Sequence, residues 1–262
     1  MRGGACYTGT PFTFFRLRPM PFDLIQHRKD AHDIGHLQEY LKQIVYGGND
    51  GIVTTFAVVA GFAGFGAQGV AEIGSVAVLL FGIANILADG TSMGLGEFLA
   101  SRSERDLYIT HRNKELREIE LNPDIERQEV AEILKSHGMA PDDAASMVDI
   151  FHRNPELMAD FMMVYELGMA DTTGESPAIK GLFMFLSFVA FGAVPLSPYF
   201  FLAPTAETFL WSVLATFLAL IGLGLLRWHV TTVNAWRCVF ETVLVGGTCA
   251  IVAYAVGLAF AA

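Results

Sequence analysis

Long apolar runs separated by short polar punctuation dominate the chain. A bilayer-spanning helix needs about 20 mostly apolar residues, and five stretches meet that requirement: 48–66, 73–99, 181–203, 206–226 and 238–260. Pro195, Pro198 and Pro204 are placed to break or end the third. Between the second and third runs the pattern changes. Residues 101–176 are polar and helical in period, and the second span is expected to continue as a polar helix to about Leu121. Asn122-Pro123 and Asn154-Pro155 each read as an N-cap followed by proline at the first helical position, and Pro141 opens another helix. His137-Gly138 and Gly168 are the matching stops. The pattern therefore predicts an all-α membrane protein: five transmembrane helices with a helical insert between spans 2 and 3.

The expected organisation is a flexible leader (1–30), an amphipathic helix with spans 1 and 2 (31–100), the insert (101–176), and spans 3 to 5 (177–262). Arg16 and Arg18 interrupt the apolar part of the leader, so it has no signal-peptide core, and Met20 is an equally good start. Ahead of the first span, Ile34, Leu37, Leu41, Ile44 and Val45 recur at helical spacing, as in a helix lying on a membrane surface. His32 and His36 stand one turn apart there; a solvated or interfacial pair is the simpler reading, metal binding the sharper one.

Charge orients the spans. All 17 Lys and Arg lie before the first span, in the insert region, or between Arg227 and Arg237. Five spans put those regions on one side, so by the positive-inside rule the N-terminus and insert are cytosolic and the C-terminus is outside. The net charge of −10 comes mainly from acids between Glu97 and Glu175, the wrong sign for a nucleic-acid binder. Cys6, Cys238 and Cys249 have no zinc spacing and no disulfide framework.

Two regions carry candidate chemistry. In span 2, Asn85, Asp89, Ser92, Met93 and Gly96 share one helical face. An ionisable residue at membrane depth is costly and usually faces a bundle interior or wet cavity, which favours a pathway role for Asp89. A carboxylate beside a thioether suits a transition-metal ion, and span 1 offers Asp50. Structural roles remain open for Asn85, Ser92 and Met93. The expected transport pathway takes in Asp50, Asp89, Met93, Asn85 and Glu97, with Glu97 and Glu241, near the cytosolic ends of their spans, as weaker proton-path candidates. Gly47/Gly51, Ala57/Gly61 and Gly90/Gly94 are spaced for close helix contact, within one protomer or between two.

In the insert, Glu115/Glu118 and Glu126/Glu129 are two i,i+3 pairs that could aim four carboxylates at one point, joined by Met162, Met163 and Glu166. On spacing alone, solvated helix faces are the better reading, with Lys114, Arg117 and Arg127 available as partners. A ferritin-like di-iron centre would need Glu-x-x-His pairs, and none occurs.

Three stretches carry a resemblance: Tyr46 to Gly51 leading into TTFAVVAGF, ADGTSMGLGEFLASRSE from Ala88 to Glu104, and FMMVYELGM from Phe161 to Met169. With the five-span layout, residues 36–260 resemble the vacuolar iron transporter family. The resemblance implies a dimer of five-helix protomers that carries Fe²⁺, sometimes Mn²⁺, out of the cytosol in exchange for protons. It implies that Asp50 and Met93 lie on the path. It also implies that Glu115, Glu118, Glu126, Glu129, Met162, Met163 and Glu166 hold metal in the insert. Vacuolar members carry a glutamate where this chain has Asn85, with Asp89 one turn later, so the coupling ion is open.

The expectation is thus a transporter and not an enzyme, with no permanent cofactor. Fe²⁺ or Mn²⁺ is its cargo, and lipid, protons and a second copy of the chain are its partners. A cell membrane is expected in preference to a vacuolar one. A membrane-anchored iron sensor or store, and a dedicated Mn²⁺ exporter, are the alternatives.

Overall fold

The structure, a computed structural model, describes residues 27, 36–66, 75–203 and 205–261. The leader, His27 apart, the side chains of His32 and His36, and the expected turn at Gln68-Gly69 lie outside the described residues. Residues 1–39 form a unit of their own, in which α1 (His36–Glu39) is a single turn.

From Tyr40 onward the described chain is helical, with no strand among the described residues. α2 is Leu41–Gly66 and α3 is Ser75–Leu121. Three short helices follow: α4 (Pro123–Ser136), α5 (Pro141–His152) and α6 (Pro155–Tyr165). Each starts with the expected proline, where a missing N–H costs no helical bond. Gly138 and Gly168, both at positive φ, end α4 and α6. The chain then returns through α7 (Pro177–Leu196), the short α8 (Pro198–Phe201), α9 (Ala206–Thr231) and α10 (Ala235–Ala261). Pro195 lies inside α7, one residue before its end, and Ser212 Oγ donates to the Pro195 carbonyl at 2.6 Å, supplying a donor at that helix end.

α3 is the longest element. Its 47 residues reach ~70 Å, more than twice the ~30 Å hydrocarbon core, so its second half projects beyond any membrane its first half crosses. On that projecting half the insert builds its own apolar core from Ile119, Val130, Leu134, Val148, Phe151, Met158 and Met162.

Among the described residues, four helices have the length and apolarity to cross a membrane: α3, α7, α9 and α10. α2, which carries Asp50, is not among them. Asn49, Asp50, Thr54 and Thr55 dilute its apolar character. It packs against α3, α7, α9 and α10, and Ile52, Thr55, Val59 and Ala60 are completely buried. Outward faces of the other spans are apolar, as lipid demands, with Leu80, Leu87, Leu186, Leu214 and Val252 all exposed. The protein is a helical, membrane-embedded chain.

Glycines close the bundle. A Cβ on Gly94 would stand 2.9 Å from the Gly181 carbonyl oxygen, and one on Gly181 2.5 Å from that of Gly94. A Cβ on Gly47 would stand 2.7 Å from the Met184 carbonyl. Gly47, Gly51, Gly90 and Gly94 thus admit α7 within one protomer. Gly61 has nothing within 4 Å of its would-be Cβ and lines an open groove with Ala57.

Candidate functional site

The membrane half of the site is the seam between α2 and α3. An open groove with about 720 Å³ of space lies there, lined by Ala57, Val58, Gly61, Phe62, Phe81, Ala84, Asn85, Ala88 and Asp89. Asn85 Nδ2 donates to Asp89 Oδ2 at 2.5 Å, one helical turn away. Asn85 Oδ1 is buried and finds no donor. Asp50, on α2, is close enough to Asp89 for the two carboxyls to repel. Met93 is partly buried one turn beyond Asp89. At the end of the span nearest the insert, Glu97 Oε1 accepts from Gln43 Nε2 at 2.7 Å and from Ser101 Oγ at 3.3 Å.

The insert half forms where α3, α4 and α6 converge. Glu115 (5 % exposed) and Glu126 (3 % exposed) bury their carboxyls and share a hydrogen bond. Glu115 Oε1 and Glu126 Oε2 find no donor. Burial pushes the Glu126 carboxyl up to about 8, reinforced by its hydrogen bond to Glu115 and the charges of Glu115, Glu129 and Glu166. Burial likewise raises Glu115. Glu166 is raised first by desolvation and then by the charges of Glu115, Glu129 and Glu118. Glu115, Glu126 and Glu166 therefore each feel the charge of neighbouring glutamates.

They do not close on a point: among the described residues, no three His, Cys, Asp or Glu side chains are grouped closely enough to hold a metal ion. Lys114 pairs with Glu118 at 3.3 Å, whereas Arg127 turns to Asp149 and Arg117 to the Asn113 carbonyl. Met162 and Met163 are fully buried, Met162 within the insert's apolar core. Arg112 ties α3 to α6, its Nε donating to Asp160 and its Nη2 to Glu156, both at 2.7 Å.

One chemical feature unites the two halves. Buried side-chain atoms lacking a partner include Gln43 Oε1, Asn49 Oδ1, Asn85 Oδ1, Glu115 Oε1 and Glu126 Oε2. These five are oxygen acceptors; Thr55 Oγ1 and Thr172 Oγ1, hydroxyls that can also donate, are likewise without a partner. Buried acceptors without donors are costly, and a cation, a proton or a bound water satisfies them.

The sequence profile of the VIT family matches residues 41–258. The chain belongs to the VIT family. Vacuolar iron transporter 1 of Tulipa gesneriana is 32% identical over 241 residues, covering 92% of this chain and 94% of that protein. Vacuolar iron transporter 1 of Arabidopsis thaliana is 32% identical over 242 residues, with the same two coverages. The vacuolar iron transporter of Toxoplasma gondii is 34% identical over 247 residues, 90% of this chain and 80% of its own length. VIT proteins are transporters, which separates this chain from enzymes. The relatives' names say vacuolar, so they lend no support to the expectation of a cell membrane.

Within this VIT chain, Gln43 is the site residue that sequence reasoning missed. Its position invites a place on a polar helix face, yet it is only 2 % exposed. The one available signal was spacing, since Gln43 stands seven residues, two turns, before Asp50.

Proposed function

We propose that this VIT protein moves a divalent transition metal, Fe²⁺ and secondarily Mn²⁺, out of the cytosol. In this reading α2 is a fifth span, packed against the other four. The insert is cytosolic, the C-terminus lies on the far side, and two copies form the working unit. The observation that carries the proposal is the series of buried, donorless oxygens running from the insert to the α2–α3 seam.

The chemistry follows from the donor types. Glutamates of the insert (Glu115, Glu118, Glu126, Glu129 and Glu166) attract the ion and raise its concentration at the mouth, with Met162 and Met163 as the adjoining thioethers. Asp50, Asp89 and Met93 then offer mixed oxygen and sulfur ligation, suited to a borderline ion. Asn85 adds a neutral carbonyl oxygen while its amide holds Asp89 in place. Protons moving the other way would occupy the carboxylates as metal leaves. With Asn85 neutral, Asp50 and Asp89 are the groups available for that exchange. Relatives named vacuolar iron transporters support iron as the cargo and a vacuolar membrane as one setting; any membrane with cytosol on the insert side is compatible.

Fe²⁺ and Mn²⁺ uptake into proteoliposomes, with and without a pH gradient, tests the proposal. Gradient-stimulated Fe²⁺ accumulation is the expected result. Metal binding without accumulation of either ion would replace transport with a membrane-anchored store or sensor.

A further inference from the structure

Resting on the transport reading, we propose that Glu97, Gln43 and Ser101 form a separate oxygen-lined station for a partly hydrated divalent cation, between the insert and the Asp50–Asp89 pair.

Position comes first. Glu97 and Glu115 are 18 residues apart on one helix, five full turns, so they face the same side ~27 Å apart. Glu97 also lies ~6 Å of helix rise beyond Met93 and ~12 Å beyond Asp89. An ion leaving the insert along that face of α3 meets Glu97 before it meets the seam.

The local geometry supplies a second, independent observation. Gln43 is almost fully buried, and its Oε1 has no donor. The same amide gives its Nε2 to Glu97, so the group that carries the unpartnered oxygen is held against the carboxylate. Both hydrogen bonds to Glu97 end on Oε1, which leaves Oε2 for a cation. Ser101, 7 % exposed, brings a hydroxyl to the same place. A carboxylate, an amide oxygen and a hydroxyl are hard ligands that suit a hydrated divalent ion. Three such ligands hold it loosely enough to release it, as passage through successive sites requires.

The station is also rigid. Gly94, one turn before Glu97, meets Gly181 backbone to backbone, and Gly47, one turn after Gln43, meets Met184. Tyr40, one turn before Gln43, stacks on Phe183 with ring centroids 4.3 Å apart. α2, α3 and α7 are therefore locked together around the Glu97–Gln43 pair.

A simple interhelical clasp would use the same contacts, and Glu97→Gln separates the two roles. Glutamine keeps the size and an acceptor for Gln43 and Ser101 but removes the charge. The probe is Mn²⁺, followed by electron paramagnetic resonance on the full chain in detergent, with the insert silenced by Glu115→Gln and Glu126→Gln. We expect bound Mn²⁺ in that background to weaken by roughly tenfold on adding Glu97→Gln, as expected for loss of a charged ligand. Gln43→Ala should act in the same direction. In proteoliposomes, Glu97→Gln alone should raise the KM for Mn²⁺ by roughly tenfold, with a smaller change in maximal rate. Unchanged binding and unchanged KM in Glu97→Gln would overturn the station and leave a clasp. Mn²⁺ lost with Asp50→Asn but kept in Glu97→Gln would overturn it too. Glu97-dependent binding in a chain that moves no ion would uphold the station and overturn the transport reading instead.

Discussion

Glu126 on α4 shares a hydrogen bond with Glu115 on α3, and both carboxyls are shut away from water. Two ionised carboxylates cannot occupy that position without a cation, so the pair is built to hold either a proton or a metal. Because burial lifts Glu126 from an ordinary 4.5 to about 8, the folded chain binds more protons than the unfolded one between those values. This contribution to stability is complete below the unfolded value and declines as pH rises toward about 8. Glu126→Gln should flatten that decline and raise the melting temperature of the metal-free chain by about 2–4 °C at pH 8, with little change at pH 4.5. Thermal unfolding across that pH range is the check. A variant with the parent's pH dependence would contradict the shared-proton arrangement.

The same pair predicts proton release. At pH 7, metal binding at Glu126 must displace the proton that its raised pKa retains. Calorimetry of Mn²⁺ binding to the full chain in buffers of different ionisation enthalpy should show about one proton released, and fewer in Glu126→Gln. Equal release in the two proteins would separate Glu126 from metal binding.

Arg112 is a positioning residue for the insert. It holds Glu156 and Asp160 on α6 from a place three residues before Glu115, and so sets the distance between Glu166 and the α3 glutamates. Arg112→Ala should weaken Mn²⁺ binding to the insert by roughly tenfold, whereas Arg112→Lys, which cannot span both acids, should lose less. The proton count released on binding should stay at the parent value, because Glu126 is untouched.

Much of this architecture was legible from pattern. Proline at the first turn of α4, α5 and α6 and glycine after α4 and α6 located the insert helices, because those residues act through local backbone geometry. The continuation of span 2 to Leu121 was legible for the same reason, since nothing in 100–121 breaks a helix. Burial was harder to read. Glu115 and Glu118 look alike in sequence, yet one is buried against Glu126 and the other pairs with Lys114 near the surface. Only the packing of α4 on α3 separates them. Leu41, Ile44 and Val45, expected on a surface helix, belong to the same helix as Asp50, and Ile44 is buried. Its apolar face meets protein, a distinction that helical period cannot make.

Glycine contacts give a prediction about the fold. Gly181→Val would drive a side chain into the Gly94 carbonyl and should cost about 1–3 kcal/mol or more, seen as lost monodisperse protein in size-exclusion chromatography. Gly61→Ala, with open space around its Cβ, should behave as the parent in that assay. The reverse ranking would contradict the α3–α7 crossing.

The central claim, that metal passes along the α2–α3 seam, is tested most directly by Fe²⁺ uptake into proteoliposomes holding the Asp50→Ala chain, paired with Mn²⁺ binding to the same protein's insert. Uptake should fall to the protein-free background while insert binding is retained. Uptake at the parent rate by Asp50→Ala would contradict it.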